Sequence, residues 1–278
     1  MKKLSFIIVM VLATGFAMAQ KTTYVTQGGI GNTATVTQDA SISGDATKIY
    51  ATQYGSYNKL TTDQLGNDNY VELLQGDNNN SAVMTQTTTL LSGSSGKNSS
   101  LVNQGGTSNK AELTQKEATI PGLTADLSNN RSEAYQTGNY GSFKLTQGPN
   151  SAYKPINDSY LTQSGIGNTG DLNQFGKTNY SEINQKGGSY NTADLDQTNP
   201  VTGGSDKSYS WQLGNNNKVD VLQTITIGVP LGSTDQYAYS KQDGTSNNTT
   251  IEQISRDVQK VDAIEQGNYD ILTVTQHY

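Results

Sequence analysis

Over most of its length the chain alternates. Ala34 and Val36 stand between threonines in TATVTQ, Ala111 and Leu113 between polar residues in KAELTQ, and Val219 and Val221 likewise in KVDVLQ. A period of two, with small or aliphatic residues on one side, is the pattern of a β-strand that buries one face. Each run is short, closes on a glutamine and is followed by a segment containing glycine, which permits the positive φ of a tight arc. The pattern predicts many short strands joined by abrupt arcs.

The glutamines set the spacing. Of 23 in the chain, ten pairs lie eleven residues apart, where chance would give about two. Gln185/Gln197 at twelve and Gln266/Gln276 at ten read as the same unit with one insertion and one deletion. The unit is Gln-x-Gly-x-x-Asn-x-φ-x-φ-x-Gln, φ being small or aliphatic. Its glycine recurs as Gly29, Gly55, Gly66, Gly106, Gly138, Gly165, Gly176, Gly187, Gly214 and Gly244. Its asparagine recurs as Asn32, Asn58, Asn69, Asn80, Asn109, Asn168, Asn179, Asn217 and Asn247.

Counted by their closing residue, the strands number twenty. They end at Gln27, Gln38, Gln53, Gln64, Gln75, Gln86, Gln104, Gln115, Gln136, Gln147, Gln163, Gln174, Gln185, Gln197, Gln212, Gln223, Gln242, Gln253, Gln266 and Gln276. Taken in pairs they give ten rungs. The step within a pair is ten to twelve residues, and the step between pairs runs from 11 to 21. All the length variation therefore falls on one edge, as a solenoid with two strands per turn requires. Residues 90–99 (LLSGSSGKNS) and 116–130 (KEATIPGLTADLSNN) are read as loops on that edge, and Pro121, Pro149, Pro155, Pro200 and Pro230 all fall in its longer arcs. The expected fold is all-β: an amyloid-like β-solenoid of about ten strand-arc-strand rungs, its strands parallel and ~4.8 Å apart. Inward glutamines and asparagines, which cost ~1–3 kcal/mol each if left unpaired, are expected to satisfy one another in ladders along the stack. The core positions lie two and four residues before each glutamine, for example Leu73 and Val71, Leu145 and Phe143, Ile183 and Ser181.

Composition narrows the class. Hydrophobic residues make up only 32% of the chain, and much of that share lies in the first residues. Lys2 and Lys3 precede an apolar stretch at residues 4–16 and an Ala-x-Ala site at 17–19, the order of a signal peptide, so residues 20–278 are expected to form the single mature domain. Without Lys2 and Lys3 the balance is 16 basic against 24 acidic residues, net −8, which disfavours nucleic acid or an anionic membrane as partner. No later stretch is long and apolar enough for a membrane-spanning helix, and the absence of cysteine removes disulfides and thiolate sites.

Catalytic and metal chemistry find no constellation. His277 is the only histidine and there is no cysteine to join it. Asp68, Glu72, Asp171 and Asp194 fall in arcs or at outward strand positions, where charge restrains premature association. GGIGN lacks the lysine and following helix of a phosphate loop. No cofactor, metal or enzymatic activity is expected. Tyr50, Tyr160, Tyr209 and Tyr239 share one outward register and suggest an aromatic column.

With the unit written out, a resemblance emerges. Gln27-x-Gly29-x-Gly31-Asn32-x-Ala34-x-x-x-Gln38 resembles the curlin repeat of bacterial curli fibres, and so does Gln163-x-Gly165-x-Gly167-Asn168-x-Gly170-x-x-x-Gln174. The similarity extends over the mature chain. It departs where the family carries serine six residues before the first glutamine of a rung; here Asn69, Asn98, Asn130, Asn157 and Asn179 stand there. The resemblance implies export through the Sec route and a dedicated outer-membrane curli secretion pore, and polymerisation with itself at the cell surface into fibres of the biofilm matrix. A separate nucleator subunit is the other implied partner. The terminal QHY is not basic, which points to the main subunit rather than the nucleator; a monomeric surface-binding solenoid is the remaining alternative.

Overall fold

The computed structural model describes residues 21–39, 47–66, 68–88, 97–116, 129–148, 156–176, 178–199, 205–225, 235–255 and 258–277. Residues 1–19, read above as a signal peptide, and all five prolines lie outside these residues. Alternation becomes strand at every predicted place. Rung 1 is β1 (Lys21–Gln27) and β2 (Thr33–Asp39), rung 2 is β3 (Thr47–Gln53) and β4 (Lys59–Leu65), and rung 3 is β5 (Asn69–Gln75) and β6 (Ser81–Thr87). Rungs 4 to 6 are β7 (Lys97–Gln104) and β8 (Lys110–Lys116), β9 (Asn129–Gln136) and β10 (Ser142–Gly148), β11 (Ile156–Gln163) and β12 (Thr169–Gly176). Rungs 7 and 8 are β13 (Asn179–Lys186) with β14 (Thr192–Asn199) and β15 (Asp206–Asn215) with β16 (Lys218–Ile225). Rungs 9 and 10 are β17 (Gln236–Thr245) with β18 (Asn248–Ser255) and β19 (Gln259–Asn268) with β20 (Ile271–His277).

The odd strands form one ten-stranded parallel sheet and the even strands a second, each in sequence order. The chain is thus an all-β solenoid, and no described helix is long and apolar enough to cross a membrane. Strands extend into the segments read as loops: β7 begins at Lys97 and takes in Asn98 and Ser99, β8 runs on to Lys116, and β9 begins at Asn129. Pairing with the neighbouring rung recruits these polar residues, which show no hydrophobic alternation of their own.

Between the sheets lies a thin core two residues deep. Ile49, Val71, Leu73, Leu161 and Ile183 on the odd sheet face Leu60, Met84, Leu113, Phe143, Leu172 and Leu195 on the even sheet, all buried. Each large side chain contributes roughly 1.5–3 kcal/mol through burial. From rung 4 to rung 8 the odd sheet sets a column of serines at one core position, Ser100, Ser132, Ser159, Ser181 and Ser208, aligned strand by strand. They are enclosed, and the first four are hydrogen-bonded across the core, while Ser208 shares a hydrogen bond with Ser181 at 3.2 Å. The Ser100 hydroxyl donates to Gln115 Oε1 at 2.8 Å and accepts from Gln86 Nε2 at 3.0 Å. Ser159 donates to Gln174 at 2.6 Å and Ser181 to Gln197 at 2.7 Å.

Candidate functional site

The closing glutamines form two continuous columns. In the odd sheet Gln27 donates through Nε2 to Gln53 Oε1, Gln53 to Gln75, Gln75 to Gln104, Gln104 to Gln136 and Gln136 to Gln163, at 2.6–2.9 Å. The run continues through Gln185, Gln212 and Gln242. The even sheet repeats it through Gln38, Gln64, Gln86, Gln115, Gln147, Gln174, Gln197, Gln223, Gln253 and Gln276. Every bond points the same way, N–H toward the C-terminal rung. The direction is fixed by the second amide N–H, which crosses the core to a backbone carbonyl: Gln136 to Lys110 at 3.2 Å, Gln242 to Lys218 at 2.8 Å, Gln86 to Tyr70 at 3.1 Å. An odd-sheet glutamine reaches the preceding rung and an even-sheet one its own, so the two sheets climb as a staggered screw. From Gln75 in the odd sheet and Gln86 in the even sheet onward, as far as Gln242 and Gln253, each amide is satisfied on all three counts, the condition for burying it.

The last rung departs from prediction. Gln266 is exposed and aligned with Asp243, whereas Glu265 is aligned with Gln242 and occupies the ladder position. The outward alternation of β19 leaves Gln266 no place inside. Glu265 and Gln276 are then eleven residues apart, so the apparent deletion disappears. The residue six before the ladder position is correspondingly Gln259, which is buried.

Asparagines divide into two columns, one at each edge. At the edge within rungs, Asn32 Oδ1 accepts the Asn58 backbone N–H, Asn58 that of Asn80, and Asn80 that of Asn109, at 2.8–2.9 Å. Their amide nitrogens bind arc carbonyls: Asn80 holds those of Gly76 and Gly106, and Asn217 those of Leu213 and Gly244. Gly141 interrupts the column in rung 5, and Asn168, Asn191, Asn217 and Asn247 resume it. Asn191 was not among the predicted positions; the inserted residue of the Gln185/Gln197 unit shifts it by one. The same shift corrects Gly187, whose place in the glycine column is taken by Gly188. A Cβ on Gly188 would overlap the Gly214 carbonyl, while one on Gly187 would meet only the Leu213 side chain at 3.9 Å. Asn69 and Asn179 belong to the other edge. There they form a second column with Asn98, Asn130 and Asn157, whose side chains bond one another at 3.0–3.2 Å.

In most arcs the rung above demands glycine at the turn; in rung 3 Asp77 stands there, also with positive φ. At Gly29, Gly106 and Gly165 a Cβ would overlap the next arc's backbone carbonyl, and φ is positive, +100°, +83° and +112°. Gly55 and Gly138, Gly214 and Gly244 are confined in the same way, and Gly66 and Gly176 play this part on the opposite edge, against the carbonyls of Thr88 and Asn199. One residue before each asparagine of the within-rung column the backbone is left-handed even without glycine, as at Tyr57, Ser108, Tyr190 and Asn216 (φ 55–61°). That strain is held by arc-to-arc bonds such as Tyr57 N–H to the Ile30 carbonyl at 2.9 Å.

On the outer face of the odd sheet the tyrosines zigzag between two registers. Tyr24, Tyr50 and Tyr70 stack at 5.4 and 5.9 Å; Tyr160, Tyr180, Tyr209 and Tyr237 follow at 5.3–5.6 Å. Arg131 lies over Tyr160 and Lys260 over Tyr237. Burial and the neighbouring Glu72 push the Tyr70 hydroxyl up to about 12. On the even sheet Asp171, Asp194 and Asp220 stand in register. Burial, then the surrounding carboxylates, raise Asp194 to about 6. Among the described residues no group of histidine, cysteine or acidic side chains is arranged to hold a metal ion.

Residues 165–198, spanning β12 to β14, match the family model of the curlin associated repeat. That repeat belongs to a structural family without enzymatic activity. The comparison with curated proteins gave no match.

Proposed function

We propose that this chain is a secreted structural protein that assembles end to end into extracellular curli-like fibres. The observation that carries this is the uniform direction of the ladders, which leaves the two ends unlike and complementary. Gln27 and Gln38 turn acceptor oxygens toward the first end, and Gln276 has amide hydrogens to donate at the other. Among the described residues no rung precedes Gln27 to offer a carbonyl to its second amide N–H. Ile271, in register with Asn248, offers that carbonyl on the last rung. Among the described residues, strands β1, β2, β19 and β20 each pair on one side only, and unpaired parallel edges bind further strands through backbone hydrogen bonds.

The mechanism is templated addition. An arriving chain lays β1 on β19 and β2 on β20, and each rung ordered offers the next a finished edge, so nucleation is slow and elongation fast. The chain is then its own principal partner, with a nucleator subunit and an outer-membrane pore as accessories. The fibre serves biofilm matrix, adhesion and cell aggregation. The test is to release the chain spanning residues 20–278 from denaturant and follow thioflavin fluorescence, electron microscopy and fibre diffraction. Seedable growth and a ~4.7–4.8 Å meridional reflection are expected. A soluble β-rich monomer at high concentration would overturn the proposal and direct attention to ligands of the tyrosine face.

A further inference from the structure

The two ladders end differently. The even one ends in an amide, Gln276, and the odd one in an acid, Glu265, which is 5% exposed. Glu265 Oε2 accepts from Gln242 Nε2 and from the Thr249 hydroxyl, both at 2.7 Å. Its Oε1, which stands in for the amide nitrogen of the nine glutamines before it, is buried and has no hydrogen-bond partner. The asparagine column ends in the same substitution: Asp270 N–H donates to Asn247 Oδ1, and the Asp270 carboxylate replaces the amide that binds arc carbonyls in other rungs. Glutamate and aspartate are isosteres of glutamine and asparagine, so shape is kept while the outgoing donor is lost.

We infer that the last rung is a proton-dependent joint, which receives the first rung of a second copy when Glu265 carries a proton. The inference rests on the end-to-end assembly proposed above. In register, Gln27 of an arriving copy brings its Oε1 toward Glu265. Ionised, Glu265 meets that oxygen acceptor to acceptor and remains a buried charge without a cation. Protonated, it donates an O–H and the ladder runs on through the joint. The surroundings do not supply the missing charge. From β17 and β18 it meets Gln242 and Thr249, and from β20 the core-facing side chains are Leu272 and Val274. The charged residues of these strands, Lys241, Asp243, Glu252, Lys260, Asp262 and His277, alternate to the outer faces, where Lys260 pairs with Asp262 and His277 with Glu252. Asp270 is exposed in the arc. A buried acid is not a solubility device, which sets Glu265 apart from the outward carboxylates.

The test compares seeded elongation of the full mature chain and of E265Q, each on its own seeds, at neutral and at acidic pH. E265Q installs the residue found in the other rungs of the column, so folding is preserved. It is expected to elongate about tenfold faster than wild type at the higher pH, the scale of one charged group left unpaired, with the gap closing at the lower pH. D270N adds a smaller gain in the same direction. Equal rates for wild type and E265Q at both pH values, or a slower E265Q, would overturn the joint while leaving assembly intact. Failure of both proteins to form fibres at either pH would overturn assembly itself, and the joint with it.

Discussion

Replacing Gln136 by leucine tests the ladder where it is most enclosed. Gln136 sits in rung 5, fully buried. It accepts from Gln104 Nε2 at 2.9 Å and donates to Gln163 Oε1 at 2.9 Å and to the Lys110 carbonyl at 3.2 Å. Leucine has a similar volume and no hydrogen-bonding group, so the change strands one N–H and two oxygens. At ~1–3 kcal/mol each the loss is roughly 3–9 kcal/mol. Burial of the leucine returns about 2 kcal/mol. The expected net destabilisation is about 4 kcal/mol, large against the usual effect of a single change. In a solenoid each rung touches only its neighbours, so the damage is local as well as large. Guanidinium unfolding followed by circular dichroism gives the size, and hydrogen exchange shows protection falling first in rungs 4 to 6. The control is Lys144→Ala on the exposed face of the same rung, expected within ~0.5 kcal/mol of wild type. A Gln136→Leu protein as stable as this control, with uniform protection, would refute the claim that the ladder stabilises the stack.

Other changes probe different features. Asp206 is fully buried in the variable-edge column that Asn179 precedes, and the Gln236 N–H near it is held by the Ser205 carbonyl at 3.1 Å. Burial, then the charge of Asp235, raises its carboxyl well above the usual range. A raised folded pKa means stability that is present at acid pH and lost as pH rises through that value. Asp206→Asn should therefore stabilise at neutral pH by ~1–3 kcal/mol and flatten the pH profile of unfolding. Asp194 is raised to about 6 by burial and its neighbouring carboxylates, so its contribution likewise fades as pH climbs through about 6. Its carboxyl carbon should titrate near there by NMR, and a midpoint in the ordinary aspartate range would contradict the stacked column. Gly165→Ala sets a methyl against the Gly188 carbonyl at φ +112° and should cost several-fold more stability than Ile166→Ala beside it, measured by thermal unfolding.

The repeat was legible because the ladder glutamine and, in most rungs, the arc glycine answer a requirement set by the neighbouring rung: the arc carbonyls that exclude a Cβ at Gly29 exclude it at Gly214 too. Strand alternation, pairing in two sheets and the ladder glutamines followed from it. What escaped was local phase. Gln266 satisfies the letter of the unit, but the inward position falls on Glu265, and the eleven-residue step back from Gln276 is the signal that locates it. Asn191 and Gly188 were hidden by one inserted residue between Gln185 and Gln197. Asn69 and Asn32 share a sequence motif yet lie at opposite edges, since both arc types can use asparagine to hold a carbonyl four residues back, at 3.0 and 2.7 Å. The serine column was legible as well, since Ser100, Ser132, Ser159, Ser181 and Ser208 each stand four residues before a closing glutamine; what the spacing did not show was that hydroxyls of this column bond across the core to the opposite glutamine ladder.

The two edges differ in one further respect. Arcs within rungs are nearly uniform and bonded to one another, while the connections between rungs vary freely in length. A ribbon built from this chain would have a bare flank and a dressed one. Peptides grafted into the between-rung connections would emerge along a single line, at multiples of the ~4.8 Å strand repeat, with the opposite flank left unchanged.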